Sequence, residues 1–371
     1  LGGGQLGKML CQAGSVLGLD ISILEKDLTY PAASVCTSFV CGDITDFDDV
    51  VRFGSAMDII TIEIENVNTD ALEALEKLGK KVYPSSSALK IIKDKGKQKI
   101  FYEGSDLPSS EFTLYKNKEG ILNDVSAGVL KFPFVQKSRT EGYDGKGVQV
   151  VRNLNDLHSL FDGATIVEEM VDIQKEISVV LARNQTGQIV AFPIVEMQFH
   201  PVANLVEYLF CPANINISNV IEAEDIGRKI AEKIDIVGLL AVELFITKDG
   251  SVLINEVAPR PHNSGHHTIE ACSISQYEMH LRAILDLPLI TPKLTYPAVM
   301  VNLLGEQGYE GQAVYSGIEK CLSLDGVYPH IYGKKMTKPY RKMGHITIVD
   351  ENLNVAIEKA KIVQNTLKVI S

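Results

Sequence analysis

The chain has 371 residues, 45% hydrophobic and 22% charged, which is long enough to bury two or three cores and ordinary for a globular protein. Its 36 Lys and Arg against 47 Asp and Glu leave a net charge of -11. That balance excludes a sequence-independent grip on nucleic acid, so any anionic ligand must be held by a local cluster of cations. No apolar run reaches the roughly 18 residues that span a bilayer, and no basic-then-apolar leader is present, so a cytoplasmic protein with no membrane partner is expected. The six cysteines (Cys11, Cys36, Cys41, Cys211, Cys272, Cys321) include no Cys-x-x-Cys and are expected as free thiols packed like small apolar residues.

The first 84 residues alternate apolar runs with helical stretches: GGGQLGKMLCQAG, DISILEK, FVCGD, MDIITIEIEN, a helix from Asn68 to Leu78, then KKVYP. This rhythm predicts a small doubly wound parallel sheet, a Rossmann-like domain over 1–84. The numbering opens on the glycine turn, and the strand expected before such a turn is absent from this numbering. GGGQLG has two readings. It is a dinucleotide fingerprint, with phosphate at the helix N-terminus and Glu25 as the ribose acceptor, or it is only the turn with which such a domain begins.

A lysine-rich helical segment, Ser86 to Tyr102, leads into a second domain over 85–292, with a flap subdomain at about 105–172. From Phe132 to Glu196 the pattern turns to strands: FPFVQKS, VQVVR, TIVEEMV, EISVVLAR and IVAFPIVEM. Between the first two stands EGYDGKG, Glu141 to Gly147. Phosphate loops of the Walker and Rossmann kinds run from strand into helix, whereas this one joins strand to strand at a hairpin tip. It is either a flap that closes over a triphosphate, with Lys137 and Lys146 supplying charge, or a mobile surface hairpin.

A helix over Glu222 to Ile234 precedes the strands VGLLAVELFIT and SVLINEVAPR. With Asp249-Gly250 as a two-residue hairpin loop, Glu243 falls directly opposite Glu256, with Cβ atoms about 5 Å apart on one face. Paired carboxylates in an apolar strand require compensation. A divalent cation shared with substrate phosphates, a shared proton, or an interposed lysine would each supply it, and the upstream glycine flap favours Mg²⁺. A helix over Ser275 to Leu285 and the breaker run LDLPLITP close this domain. A small mixed domain over 293–371 ends in a helix from Asn354 to Leu367. His262, His266 and His267 lack a fourth ligand at a spacing suited to zinc.

Taken together, the Lys137 strand, GYDGKG, the segment Glu168-Glu169-Met170-Val171 and the paired-glutamate hairpin running into NEVAPRPHNSGHHT resemble an ATP-grasp ligase. GGGQLGKM, IEIENV at 62–67 and YRKMGHIT at 340–347 narrow the resemblance to the 5-(carboxyamino)imidazole ribonucleotide synthase family, over almost the whole chain. The resemblance implies an α/β and α+β architecture: an ATP-grasp fold with an N-terminal Rossmann-like pre-ATP-grasp domain and a small C-terminal mixed domain. It also implies ATP and Mg²⁺ as cofactors, 5-aminoimidazole ribonucleotide and bicarbonate as substrates, and a homodimer.

Residue by residue, the resemblance implies that Lys137, Gly142, Tyr143, Asp144, Gly145, Lys146, Gly147 and Val148 hold the ATP phosphates, with Lys95 at a further nucleotide contact. Glu168, Glu169, Met170 and Val171 would form the hinge that meets adenine. Glu176 would accept ribose hydroxyls, with His200 and Asn255 beside the nucleotide, and Glu243 and Glu256 would ligate Mg²⁺. Glu65, Tyr143, Asp144, Arg260, His262, Arg341 and Lys342 would face bicarbonate and the ribonucleotide, with Asp144, Arg260, His262 and Lys342 in catalytic roles. Chemistry alone adds that Arg341 and Lys342 form a compact cation pair suited to a 5′-phosphate, or else a solvated surface pair. The sequence departs from the family pattern at Glu141 and Tyr340, where glycine is common, at Val148, where glutamine is common, and at His267, where tryptophan is common. Alternatives are a formate- or carboxylate-using ATP-grasp ligase, a catalytically inactive nucleotide-binding subunit, and, from GGGQLG, a dehydrogenase.

Overall fold

The opening glycines run into the helix Gln5–Val16, which buries Leu6, Met9, Leu10 and Cys11 at helical spacing. The computed structural model describes residues 1–140, 147–200 and 205–371. Two parallel strand pairs follow: Ser22–Glu25 with Ser38–Cys41, and Ile59–Thr61 with Lys81–Tyr83. Leu1 and Gly2 join them. Gly2 N donates to Leu24 O (3.1 Å), the Leu1 ammonium to Thr61 O (2.6 Å), and Glu63 N to Leu1 O (3.0 Å). The expected parallel sheet is therefore two pairs bridged by two residues. Helices Phe47–Ser55 and Thr69–Lys77, capped by the side chains of Asp46 and Asn68, cover it over a core that includes Leu24, Val50, Ile62 and Leu75.

The lysine-rich segment is two helices, Ser86–Ile92 and Lys95–Glu103, rather than one. Asp94 breaks it: its backbone is extended, and its side chain accepts from Gly96 N and Lys97 N as the cap of the second helix. Such a cap competes with continuing the helix. Lys95 thereby becomes a first-turn residue, and its N–H donates to Arg139 O at 2.9 Å.

Among the described residues most of the remaining strands form two large sheets, with two short pairs, Gly311–Gln312 with Met336–Thr337 and Val314–Ser316 with Lys368–Ile370, beside them. Four antiparallel strands stand in the order Phe112–Tyr115, Thr165–Glu169, Phe134–Ser138, Val148–Val151. The larger sheet runs Val252–Ala258, Gly238–Thr247, Ile173–Arg183, Val195–Phe199, Val206–Cys211, Ala298–Leu304, Lys342–Val349, Val327–Ile331, with Ile189–Ala191 also on Ile173–Arg183. IVAFPIVEM is split in two at Phe192–Ile194, where Pro193 has no N–H to give a ladder. The large sheet crosses residue 292 without a break, because Val206–Cys211 pairs with Ala298–Leu304. Residues 299–369 do have an apolar core of their own, around Val299, Ile346, Ile348 and Val363, but Tyr208 and Phe210 pack into it.

The helix Ile217–Lys233 starts earlier than expected, while Gln276–Ile284 and Leu353–Thr366 lie where predicted. Among the described residues no helix is long and apolar enough to cross a membrane. All six thiols are free, but Cys41 is exposed rather than packed inside.

Candidate active site

Glu243 and Glu256 face each other across the hairpin, as the sequence predicts, but not through the predicted turn. Thr247 N donates to Ser251 O (3.0 Å) and Gly250 N to Thr247 O (2.9 Å), so the loop is three residues, Lys248-Asp249-Gly250, with Gly250 at φ +90°. Three-residue loops with a left-handed glycine are a common hairpin closure. The pairs Ile246↔Val252, Phe245↔Leu253 and Leu244↔Ile254 follow, a register that would set Glu243 against Asn255. A bulge between Ile254 and Glu256 absorbs Asn255 and returns Glu256 to Glu243. The Asn255 side-chain oxygen, displaced by that bulge, accepts from Lys137 Nζ at 3.1 Å.

Three lysines meet carboxylates at this site, one of them on the pair and two on Glu168. Lys95 Nζ lies 2.5 Å from Glu256 Oε2, and Lys137 Nζ lies 2.6 Å from Glu168 Oε2. Lys99 Nζ lies 2.7 Å from Glu168 Oε1 and donates to Ser110 O (2.9 Å) and Oγ (2.8 Å). Burial alone would raise the Glu168 carboxyl, but Lys137 and Lys99 outweigh it and hold it below its ordinary value. Glu176, on Ile173–Arg183, is pushed up to about 7 by burial, against the pull of Lys137. Burial raises Glu243, and the charges of Glu256 and Glu176 raise it further; Lys95 draws Glu256 down. Two of the three compensations left open by the sequence are thus visible at once: a lysine on one carboxylate, and a drive toward the neutral form on the other.

The donor set also fits Mg²⁺. Glu256 keeps 44% of its side chain exposed, and the two carboxylates offer hard oxygens from facing strands. Among the described residues no group of three or more His, Cys, Asp or Glu could hold an ion, so a cation here would draw its other ligands from a substrate. One or two carboxylates plus phosphate oxygens is the habit of Mg²⁺.

Beyond the pair, Arg260 Nε lies 2.8 Å from Glu65 Oε2, and His262 Nε2 lies 3.6 Å from Glu243 Oε1. Lys342 acts electrostatically on Glu243 and His266, whereas Arg341 donates through Nη1 to Met336 O at 2.7 Å. Tyr340, where the family pattern has glycine, is held at φ +62°, the left-handed region a bulky residue enters at a cost of about 1–2 kcal/mol. Its ring meets His200 edge-on at 6.0 Å, which ties His200 to the loop bearing Arg341 and Lys342.

Val148 pairs with Lys137 across the flap strands, and Gly147 O accepts from Ser138 N at 2.8 Å, so the loop does join strand to strand. Gly142, Tyr143, Asp144, Gly145 and Lys146 lie outside the described residues, as does Glu141. Glu169 and Met170 are exposed at the strand end, with Val171 half-buried beside them. His266 and His267 do not join His262: His266 Nδ1 partners Tyr277 OH at 2.9 Å and its ring stacks on His345, while His267 is fully enclosed.

Two residues were missed by sequence reasoning. Lys99 follows Lys95 by four positions and so shares its helix face, a signal that was present in the spacing. Glu63 is the other. Its Oε1 accepts from Gly4 N (2.6 Å) and its Oε2 from Gly7 N (2.8 Å), while Glu25 Oε2 accepts from Gly3 N (3.2 Å). The protein's own carboxylates thus take the amides that a dinucleotide phosphate would need, which corrects the fingerprint reading of GGGQLG.

The chain matches three family models: Ribonucleotide synthetase preATP-grasp domain over 1–93, ATP-grasp domain over 100–277, and Phosphoribosylaminoimidazole carboxylase C-terminal domain over 298–359. It is 36% identical over 354 residues to N5-carboxyaminoimidazole ribonucleotide synthase of Synechococcus elongatus, covering 94% of this chain and 88% of that one. It is 37% identical over 366 residues to the chloroplastic phosphoribosylaminoimidazole carboxylase of Vigna aconitifolia, covering 95% of this chain but spanning 64% of that relative. It superposes on N5-carboxyaminoimidazole synthase from Aspergillus clavatus, solved with ADP and 5-aminoimidazole ribonucleotide, with a TM-score of 0.89 at 30% identity, covering 99% of this chain and 96% of that one. The chain therefore belongs to the N5-carboxyaminoimidazole ribonucleotide synthase family of ATP-grasp ligases, the family also written 5-(carboxyamino)imidazole ribonucleotide synthase.

Proposed function

We infer that this protein carries out the ATP- and bicarbonate-dependent carboxylation of the amine of 5-aminoimidazole ribonucleotide in de novo purine biosynthesis, giving 5-(carboxyamino)imidazole ribonucleotide, ADP and phosphate. The observation that carries this reading is the Glu243/Glu256 pair, flanked on one side by Lys95 and Lys137 and on the other by His262, in a chain of this family.

A bicarbonate oxygen attacks the γ-phosphorus, the bond to the β-phosphate oxygen breaks, and carboxyphosphate and ADP result. The amine lone pair then adds to the carboxyl carbon, or to CO₂ released from it; phosphate departs and the amine proton is lost. Lys137 and Lys95 neutralise phosphate charge, each exchanging a carboxylate partner for a phosphate oxygen. Glu243 and Glu256 would hold Mg²⁺, which when bound would supply charge neutralisation on the phosphates. Glu176 accepts ribose hydroxyls, with Asn255 beside the nucleotide. The hinge Glu168 to Val171 meets adenine through its backbone, and the Glu168 carboxylate sets Lys137. Arg260, poised by Glu65, together with His262 and Lys342, holds the bicarbonate-derived anion. Asp144 orients the amine or takes its proton, and the flap, with Tyr143, keeps water from the labile intermediate. The remaining parts of the reading are division into 1–84, 85–292 and 293–371, a homodimer, and a cytoplasmic location.

The deciding experiment measures ADP release with bicarbonate and 5-aminoimidazole ribonucleotide each omitted in turn. Release that requires both supports the reading. Release indifferent to bicarbonate overturns it in favour of a formate- or carboxylate-using ligase. No release with every component present, and the same for Glu256→Ala, would leave an inactive nucleotide-binding subunit. Asp144→Asn is expected to impair carboxylation far more than ATP binding.

A further inference from the structure

Glu243 is linked to the buried interior by a short run of polar atoms. His262 Nε2 stands 3.6 Å from Glu243 Oε1. Its other ring nitrogen, Nδ1, accepts the backbone N–H of Ser264 at 3.3 Å and lies 2.8 Å from Ser264 Oγ. Ser264 Oγ is in turn 2.8 Å from Ser178 Oγ. Ser264 and Ser178 are 1% and 0% exposed, so water does not compete for these bonds. Ser178 pairs directly with Glu243 between neighbouring strands, so one sheet carries both ends of the run.

A backbone N–H has one hydrogen and cannot turn it away. An imidazole nitrogen facing it is biased toward accepting, but at 3.3 Å this contact is long, and the shorter 2.8 Å contact to the Ser264 hydroxyl is what must hold the proton of the neutral ring on the other nitrogen. We propose that Ser264, through its N–H and hydroxyl, and Ser178, which anchors that hydroxyl, are positioning residues that fix His262 as the Nε2–H tautomer. In this arrangement Ser178 O–H points to Ser264 Oγ, and Ser264 O–H points to Nδ1. His262 then offers a donor toward the carboxylate edge of the site. It does not take the amine proton; it holds an anion. This last step rests on the proposed function and assigns to His262 the bicarbonate-derived group rather than the ribonucleotide amine.

The test reads the tautomer directly. Full-length protein with ¹⁵N-labelled histidine is examined at pH 8 without substrates by long-range proton–nitrogen correlation, with the His262 signals assigned by their loss in His262→Gln. A single Nε2–H pattern in the wild type, becoming a mixture in Ser264→Ala, is expected. Restoration of the single pattern in Ser264→Thr would tie the effect to the hydroxyl. A wild-type Nδ1–H pattern or mixture overturns the proposal. So does an unchanged pattern in both Ser264→Ala and Ser178→Ala. In turnover, Ser264→Ala is expected to lower the rate of bicarbonate-dependent ADP release by about tenfold, the size typical of lost supporting hydrogen bonds, with the KM for ATP within about twofold. Equal changes in both would indicate a general structural role instead. Because the spectrum needs no substrate, its outcome is independent of the omission assay that judges the function.

Discussion

Lys99 Nζ lies 2.7 Å from Glu168 Oε1, and both side chains are almost wholly enclosed, at 2% and 5% exposure. The second oxygen of Glu168 holds Lys137, so one carboxylate is shared by two cations and neither takes its full charge. Lys99→Met would leave Glu168 to Lys137 alone and remove one cation from the cluster. Breaking a buried pair costs about 3–5 kcal/mol. Urea unfolding is expected to show a loss of that order, and the KM for ATP to rise about tenfold because Lys137 is then more tightly paired. Adding Glu168→Gln should recover part of the stability; a double variant whose losses simply add would mean that the two residues are not coupled.

On the proposed function, the carboxylate pair is where the reaction would depend on metal. Glu256→Gln replaces an anionic oxygen ligand with a neutral amide and leaves Lys95 without its charged partner. ADP release is expected to fall by roughly a hundredfold or more, with half-maximal rate moving to higher Mg²⁺ concentration. A Mg²⁺ titration of initial rates checks this, and an unshifted midpoint would count against Glu256 as a ligand.

Glu63 satisfies two amides of the glycine turn with two oxygens. A glutamine has only one, so Glu63→Gln sets an amide NH₂ against the N–H of Gly4 or Gly7. An unmatched buried donor costs about 1–3 kcal/mol, which should appear as a lower Tm. Calorimetric titration of the wild type with a nicotinamide dinucleotide should give no heat, since the amides are already taken.

Gly250 sits at φ +90°, and a Cβ added there meets no atom within 4 Å. Gly250→Ala therefore carries backbone strain alone, about 1 kcal/mol. Because Gly250→Ala leaves both the loop length and the bulge in place, Glu243 still faces Glu256, so turnover should be unchanged while stability drops by that amount. Loss of activity at unchanged stability would refute this division.

His267 and His280 are both lowered to about 4, in each case chiefly by burial. Each stays neutral when folded and protonates near 6.5 when unfolded, so unfolding takes up protons between these values. Stability is then full above about pH 6.5 and falls as the pH drops toward 4, by up to about 3 kcal/mol per histidine. His280 Nδ1 accepts from Leu239 N (3.2 Å) and its Nε2 meets Thr61 Oγ1 (2.8 Å). His280→Asn keeps an acceptor but cannot titrate. Its stability should fall less steeply with acid, as read by denaturant midpoints from pH 7 to pH 4.5.

Much of the architecture was legible because local chemistry writes it. Asn68 and Ser275 cap helices where predicted, alternation marks Phe134–Ser138 and Val148–Val151 as flap strands, and GYDGKG lies between them. The lysine-rich stretch from Ser86 to Tyr102 reads as one helical segment, and the cap that Asp94 supplies makes it two. The facing of Glu243 and Glu256 was reached from the sequence by way of the wrong turn. The three-residue loop and the Asn255 bulge offset each other, and only the fold shows why the bulge sits there. Ile254 N donates to Pro108 O at 2.9 Å, a backbone bond from a distant segment that holds the strand beside the extra residue. Distant partners likewise give Glu168 its lysines and the glycine turn its Glu63. Composition, periodicity and motif spacing determined which elements form and which charged groups need compensation, because those depend on neighbours within a few residues. Register, ion-pair partners and the run of the large sheet past residue 292 were decided by the tertiary structure, because each rests on hydrogen bonds between segments that meet only when the chain is folded.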